Sequence, residues 1–259
     1  MNTLHALVSR REANRRGEPV AAHAHPRALA FDNRRATIRA WQDRVRDPSL
    51  TVLLVVELCL LFVAAPLAAK GLPMALAITE TLVLGVLALV VILSRRRGAI
   101  VLILIGLTAT LASLGFGSDW PRVASSVLRC GGTMLAFGAL TWVMWRAVYA
   151  PGRITFHRVQ GAFVLYLNLA TIFAAASSLI WELSPAAFAH VQTPLGGPHE
   201  LATMLYFSFT TLTTTGYGDI VPVDPFARSL ANLESVLGQF YLAITVARLV
   251  TLEIEGRRR

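Results

Sequence analysis

Six stretches of this chain, roughly 50–69, 72–94, 99–116, 122–148, 159–183 and 227–250, are apolar over about the 20 residues a helix needs to cross a hydrocarbon core. Backbone in lipid has no water to bond, so such runs are helical. The connectors are short: "KGLP" between the first two, "SRRRG" at 94–98, "GSDWP" at 117–121 and "APGRITFHR" at 150–158. With 55% apolar residues, 15% charged and a mean hydropathy of +0.58, the chain reads as an all-α, multi-pass membrane protein rather than a soluble domain.

The net charge of +9 is nearly all arginine; Lys70 is the only lysine. Its distribution sets an orientation. Ten arginines precede residue 49, and with the N-terminus in the cytoplasm these, Arg95, Arg96, Arg97, Arg146, Arg153, Arg158, Arg248 and the final three arginines all fall inside. Only Lys70, Arg122 and Arg228 fall outside, and Arg129 lies within the fourth span. This is the positive-inside pattern, with both termini cytoplasmic, and not a nucleic-acid-binding stripe. Trp120, Trp145 and Trp181 fall at span ends, where interfacial anchors belong. Cys59 and Cys130 lie in apolar runs and read as structural thiols.

The expected organisation is an Arg-rich cytoplasmic tail at 1–48, a four-helix membrane domain at 49–149, a linker at 150–158, a second membrane unit at 159–252 and a short cytoplasmic end at 253–259. The tail could bind anionic lipid headgroups at about 1 kcal/mol per charge, or be a solvated segment that only sets topology. "AHAHP" at 22–26 is weak evidence of metal.

Between spans five and six the pattern changes. Residues 184–200 are rich in Pro and Gly, and 201–213, "LATMLYFSFTTLT", are apolar but too short to cross. They read as a re-entrant helix, followed by "TTGYGDIVPVDP" returning to the same side. Non-helical backbone at membrane depth is tolerated only where it is buried in protein or lines a water-filled path. Extended backbone that points successive carbonyls one way needs unusual dihedrals at alternate residues, which Gly216 and Gly218 adopt cheaply. Such carbonyls can replace the hydration shell of a cation, with the Thr214 hydroxyl adding an oxygen at the inner end.

"TTGYGD" at 214–219 resembles the potassium-channel signature T-V-G-Y-G-D, and about 158–251 resembles the pore domain of bacterial potassium channels with two pore-forming helices. The likeness includes "HRVQGA" at 157–162 and "GQFYLAI" on the last span. It implies a potassium-selective homotetramer in the bacterial inner membrane, in which Thr214, Thr215, Gly216, Tyr217 and Gly218 form the filter. Potassium then sits at Thr214, Thr215, Gly216 and Tyr217 as the permeant ion, and no other cofactor is expected. Asp219 and Tyr206 brace the loop. Thr215 stands where the family has valine, which leaves a weakly selective cation channel as the alternative. Thr210 stands where some members carry a glutamate.

The resemblance makes Gly238, nineteen residues after Asp219, a hinge; a close helix contact is the other reading, and the two are compatible. Gln239, Leu242, Val246 and Val250 share one helical face. By resemblance Gln239 and Leu242 line a cavity, and Val246 and Val250 gate its inner mouth by dewetting. Glu234 is either a cavity charge or a hydrogen-bonding group behind the re-entrant helix.

Spans one to four lack the repeated arginines of a voltage sensor, so voltage dependence is expected to be weak or absent. Matching depths suggest ion pairs between Arg129 and Glu80 and between Glu57 and Arg146. No nucleophile–base set, nucleotide loop or HExxH pattern points to an enzyme. A secondary transporter would show paired broken helices and repeats, and a non-conducting regulatory subunit has no use for a Gly-rich loop at this depth.

Overall fold

A computed structural model describes residues 50–70, 97–116, 121–149, 156–191 and 198–257. All belong to one unit, Arg46–Arg259, and the other, Met1–Val45, lies outside the described residues. So do the expected second span and Glu80, within 71–96, and most of the Arg-rich tail.

The described elements are helix α1 (50–69), α2 (Arg97–Phe116), α3 (Arg122–Val148), α4 (Phe156–Leu183), strand β1 (Phe188–Ala189), α5 (Pro198–Leu212), strand β2 (Val221–Pro222) and α6 (Pro225–Arg257). Four described segments are long and apolar enough to cross a membrane: Leu50–Leu67, Val123–Arg146, Arg158–Leu183 and Pro225–Arg248. In α2 the corresponding apolar stretch is the shorter Ile100–Ala112. The middle of α1, Leu60–Ala64, is a π-turn. Two boundaries differ from the sequence expectation. Helix α4 begins inside the expected linker, and α6 runs on through most of the expected tail, to Arg257.

The helices pack through small residues. A Cβ added to Gly106 of α2 would stand 2.5 Å from Gly132 O of α3, and one added to Gly132 would stand 2.6 Å from Gly106 O, so these backbones touch. Above the crossing, Ile103, Ala136, Leu140, Met144 and Val148 form one core with Val164 and Leu165 of α4. Helix α1 lies along α4, where the Thr51 hydroxyl donates to Gln160 Oε1 at 2.8 Å. Leu61 and Ala65 of α1 join a second core with Leu167, Ala174, Met204 and Phe207.

A small antiparallel pairing, Phe188 with Pro222 and Ala189 with Val221, ties the segment after α4 to the segment before α6. Asp224 caps α6: its Oδ1 accepts from Phe226 N at 2.8 Å and Ala227 N at 3.3 Å, with Pro225 at the first helical position. The loop between α5 and β2 is thereby held at both ends.

Candidate functional site

The short helix α5 ends in a way that dictates the loop after it. The last four carbonyls of a helix have no partner within it. Here all four are satisfied. Phe209 O accepts from Thr213 N at 3.1 Å and from the Thr213 hydroxyl at 2.7 Å. Thr210 O accepts from Thr215 N at 2.8 Å and Gly216 N at 3.1 Å. Thr211 O accepts from Thr214 N at 2.9 Å and the Ser235 hydroxyl of α6 at 3.1 Å. Leu212 O accepts from the Tyr166 hydroxyl of α4 at 3.3 Å.

The bonds from Thr215 N to Thr210 O and from Thr214 N to Thr211 O are those of a Schellman ending, with Thr214 at the position that must be left-handed. Its φ is 57°. Glycine is usual there, and a β-branched residue costs about 1–2 kcal/mol. The left-handed conformation then recurs at every second residue: Gly216 has φ 54° and Gly218 φ 78°, while Thr215 and Tyr217 keep negative φ. The alternation expected from the two glycines is present, and it begins one step earlier, at a threonine.

The loop is exposed in the single chain; Tyr217 is 71% accessible. Its own contacts are few. Thr213 and Thr215 hydroxyls lie 2.8 Å apart, and Asp219 Oδ1 accepts from Ile220 N at 3.1 Å. Tyr206 stacks on Tyr217 with ring centroids 6.3 Å apart. A hydrogen bond to the Asp219 carboxylate pushes the Tyr206 phenol above its ordinary value.

Helix α6 seals the back of α5. Gly238 faces Leu212, and a Cβ there would overlap Leu212 O and lie 3.1 Å from its carbonyl carbon. Gly238 is therefore a close helix contact, whatever bending it also permits. Glu234 is buried and its Oε1 is hydrogen-bonded to the Ser208 hydroxyl of α5, which also lies 2.7 Å from Ala170 O of α4. Of the two readings of Glu234, the geometry gives the contact behind α5. Gln239 does more than line a face: its Nε2 donates to the Thr214 hydroxyl at 3.1 Å. Leu242, Val246 and Val250 are exposed on α6, at 44%, 59% and 53%.

The ion pairs differ from the sequence reading. Arg129 Nη2 lies 2.9 Å from Glu182 of α4 and 3.4 Å from Glu200 in the first turn of α5. The triad thus ties α3 to both α4 and α5, and a carboxylate at a helix N-terminus is favoured by its dipole. Glu80, the expected partner, lies outside the described residues. Glu57 is fully buried, with both carboxylate oxygens unpartnered among the described residues, so the expected pair with Arg146 is not formed. Arg146 instead sits 5.4 Å over the Trp142 ring, an i, i+4 neighbour on its own helix.

Glu182, Glu200, Ser208, Ser235 and Tyr166 were not singled out by sequence. Glu200 carried a signal, an acid opening a short apolar helix. Cys59 is exposed and Cys130 buried, and both are free thiols.

Residues 161–254, which run from α4 through α6, match the family model described as "Ion channel". This part of the chain is thus similar to ion-channel domains. Over 79 residues the chain is 32% identical to the potassium voltage-gated channel protein shk-1 of Caenorhabditis elegans, covering 30% of this chain and 15% of that one. Over 50 residues it is 34% identical to the inward rectifier potassium channel Kirbac3.1 of Paramagnetospirillum magnetotacticum, covering 19% of this chain and 17% of that one. The matches thus span about a sixth of either relative's length. No solved structure matches the chain.

Proposed function

We propose that four copies of this chain assemble around one axis as a potassium-selective channel. The observation that carries the reading is the left-handed backbone at Thr214, Gly216 and Gly218, set at the end of a short apolar helix. Alternating dihedrals of this kind turn successive carbonyls to one side. A ring of them, one loop from each of four chains, replaces a cation's hydration shell. Potassium then passes between sites at Thr214, Thr215, Gly216 and Tyr217, each ion displacing the next. The names of the similar proteins favour potassium as the ion.

Fourfold assembly is supported by what one chain leaves uncovered. Gln239, Leu242, Val246 and Val250 lie along an exposed stripe of α6, and only 22% of its spanning window is buried. Closed symmetry would bring four such stripes together below the loop. Six spans per chain, cytoplasmic termini, a bacterial inner-membrane location and weak or no voltage dependence complete the proposal. Val246 and Val250 narrow the inner mouth. Lipid headgroups are proposed partners of the N-terminal arginines.

The test is the reversal potential of the purified protein in a planar bilayer, with potassium on one side and sodium on the other. A reversal near the potassium equilibrium potential supports the reading, and Tyr217→Ala with Gly218→Ala should abolish the selective current. Thr215 motivates a second reading, a weakly selective cation pore, which predicts clear current reversing near zero and a gain of selectivity in Thr215→Val.

A further inference from the structure

We infer that Gln239 is a specificity-determining positioning residue: its side-chain amide fixes the Thr214 hydroxyl at the inner end of the loop. The inference rests on the proposed channel reading and goes beyond a cavity-lining role for Gln239.

A hydroxyl has one proton and two lone pairs. The Thr214 proton is directed to Thr213 O, 2.7 Å away. One lone pair accepts from Gln239 Nε2 at 3.1 Å. A single lone pair is left for an ion, and with two bonds made the hydroxyl is no longer free to rotate. Thr214 is also the residue whose left-handed backbone a glycine would adopt without strain. What threonine adds at that point is this oxygen.

The reach of Gln239 is set by its neighbours on α6. One residue before it, Gly238 lets α6 lie against the Leu212 backbone. One turn earlier, the Ser235 hydroxyl holds Thr211 O at 3.1 Å. These contacts fix α6 against the end of α5, so the Gln239 amide meets Thr214 from a rigid base. An oxygen held at a fixed radius suits a dehydrated monovalent cation of one size. An oxygen freed to rotate closes in on a smaller one, so loss of the amide should favour sodium.

The experiment measures the potassium-to-sodium permeability ratio of the full chain in planar bilayers under bi-ionic conditions, for wild type, Gln239→Leu, Gln239→Glu, Thr214→Ala and the Gln239→Leu/Thr214→Ala double variant. Leu has no donor and Glu as a carboxylate only accepts, so each should lower the ratio about three- to tenfold, the scale of one lost hydrogen bond. Because the amide acts through the hydroxyl, Gln239→Leu should change nothing further once Thr214→Ala has removed it. A merely structural role for Gln239 would not produce that lack of additivity. Should Gln239→Leu not assemble, Gln239→Met, equally long and without a donor, carries the same comparison. An unselective wild type overturns the potassium-selective reading beneath the inference. A selective wild type with an unchanged ratio in the Gln239 variants, or with additive effects in the double variant, overturns the inference alone.

Discussion

Gly238 of α6 rests directly on the backbone carbonyl of Leu212, the last residue of α5. In an open helix, Gly→Ala stabilises by about 1 kcal/mol. Here the added Cβ overlaps a carbonyl oxygen that already accepts from Tyr166. Gly238→Ala should therefore destabilise the protein by about 1–3 kcal/mol, the usual range for overpacking. Thermal melting in detergent with a size-exclusion profile checks this. A normal melt with altered open probability would mean that Gly238 matters as a bend and not as a contact.

The Arg129 triad makes a prediction about coupling between the two halves of the described unit. Removing the arginine leaves Glu182 and Glu200 facing each other, and the Glu200 side chain is only 2% exposed. Breaking a buried pair typically costs 3–5 kcal/mol, and because Arg129 is itself a quarter exposed the loss here should be about 3. Arg129→Gln should lower the melting temperature accordingly. Glu200→Gln on top of it should recover part of the loss, since it removes one of the two like charges. Additive losses in the double variant would show that the three side chains do not act as a unit.

Much of this was legible in the sequence because it follows from local rules. Gly216 and Gly218 announced left-handed backbone, and the length of 201–213 announced a helix too short to span. Thr214 was not legible as strained, because its conformation comes from the Schellman ending of α5 and not from its own preference. The Arg129 partners were missed for a related reason. Depth counted along separate spans points to Glu80, and such counting does not place the short helix α5 from which Glu200 reaches Arg129. Glu57 shows the limit most plainly: a buried carboxylate was expected to find a cation, and no described residue supplies one.

Ser208 sits between two groups. Its hydroxyl has one proton, and Ala170 O, 2.7 Å away, can only accept it. Glu234 Oε1 is the second acceptor within reach of that hydroxyl. Gln, which keeps the shape and offers an N–H, should be tolerated at 234 to within about 1 kcal/mol, near the net value of one hydrogen bond. Glu234→Leu should cost about 1–3 kcal/mol, because the buried Ser208 hydroxyl loses a hydrogen-bond partner. Denaturation of the assembled protein in detergent, compared across the two variants, decides this. Equal stability of Gln and Leu would remove the need for a hydrogen-bonding partner at this position.

Tyr206 touches the loop in two separable ways, by stacking on Tyr217 and by donating to Asp219. Tyr206→Phe keeps the first and removes the second. The hydrogen bond raises the folded phenol above its unfolded value of about 10, so its stabilising effect is fully present below that pH. It is lost as pH rises through the raised folded value. On the proposed channel reading, current through Tyr206→Phe at neutral pH should run down faster than in wild type under maintained potassium flux, because Asp219 then keeps its bond from Ile220 N but loses the phenol. Above the ordinary phenol range the wild type should lose its advantage and the two should converge, while the variant's own rate stays unchanged. Rundown followed in planar bilayers at neutral and strongly alkaline pH tests both halves. Identical rundown at neutral pH would mean that the stacked ring alone braces the loop.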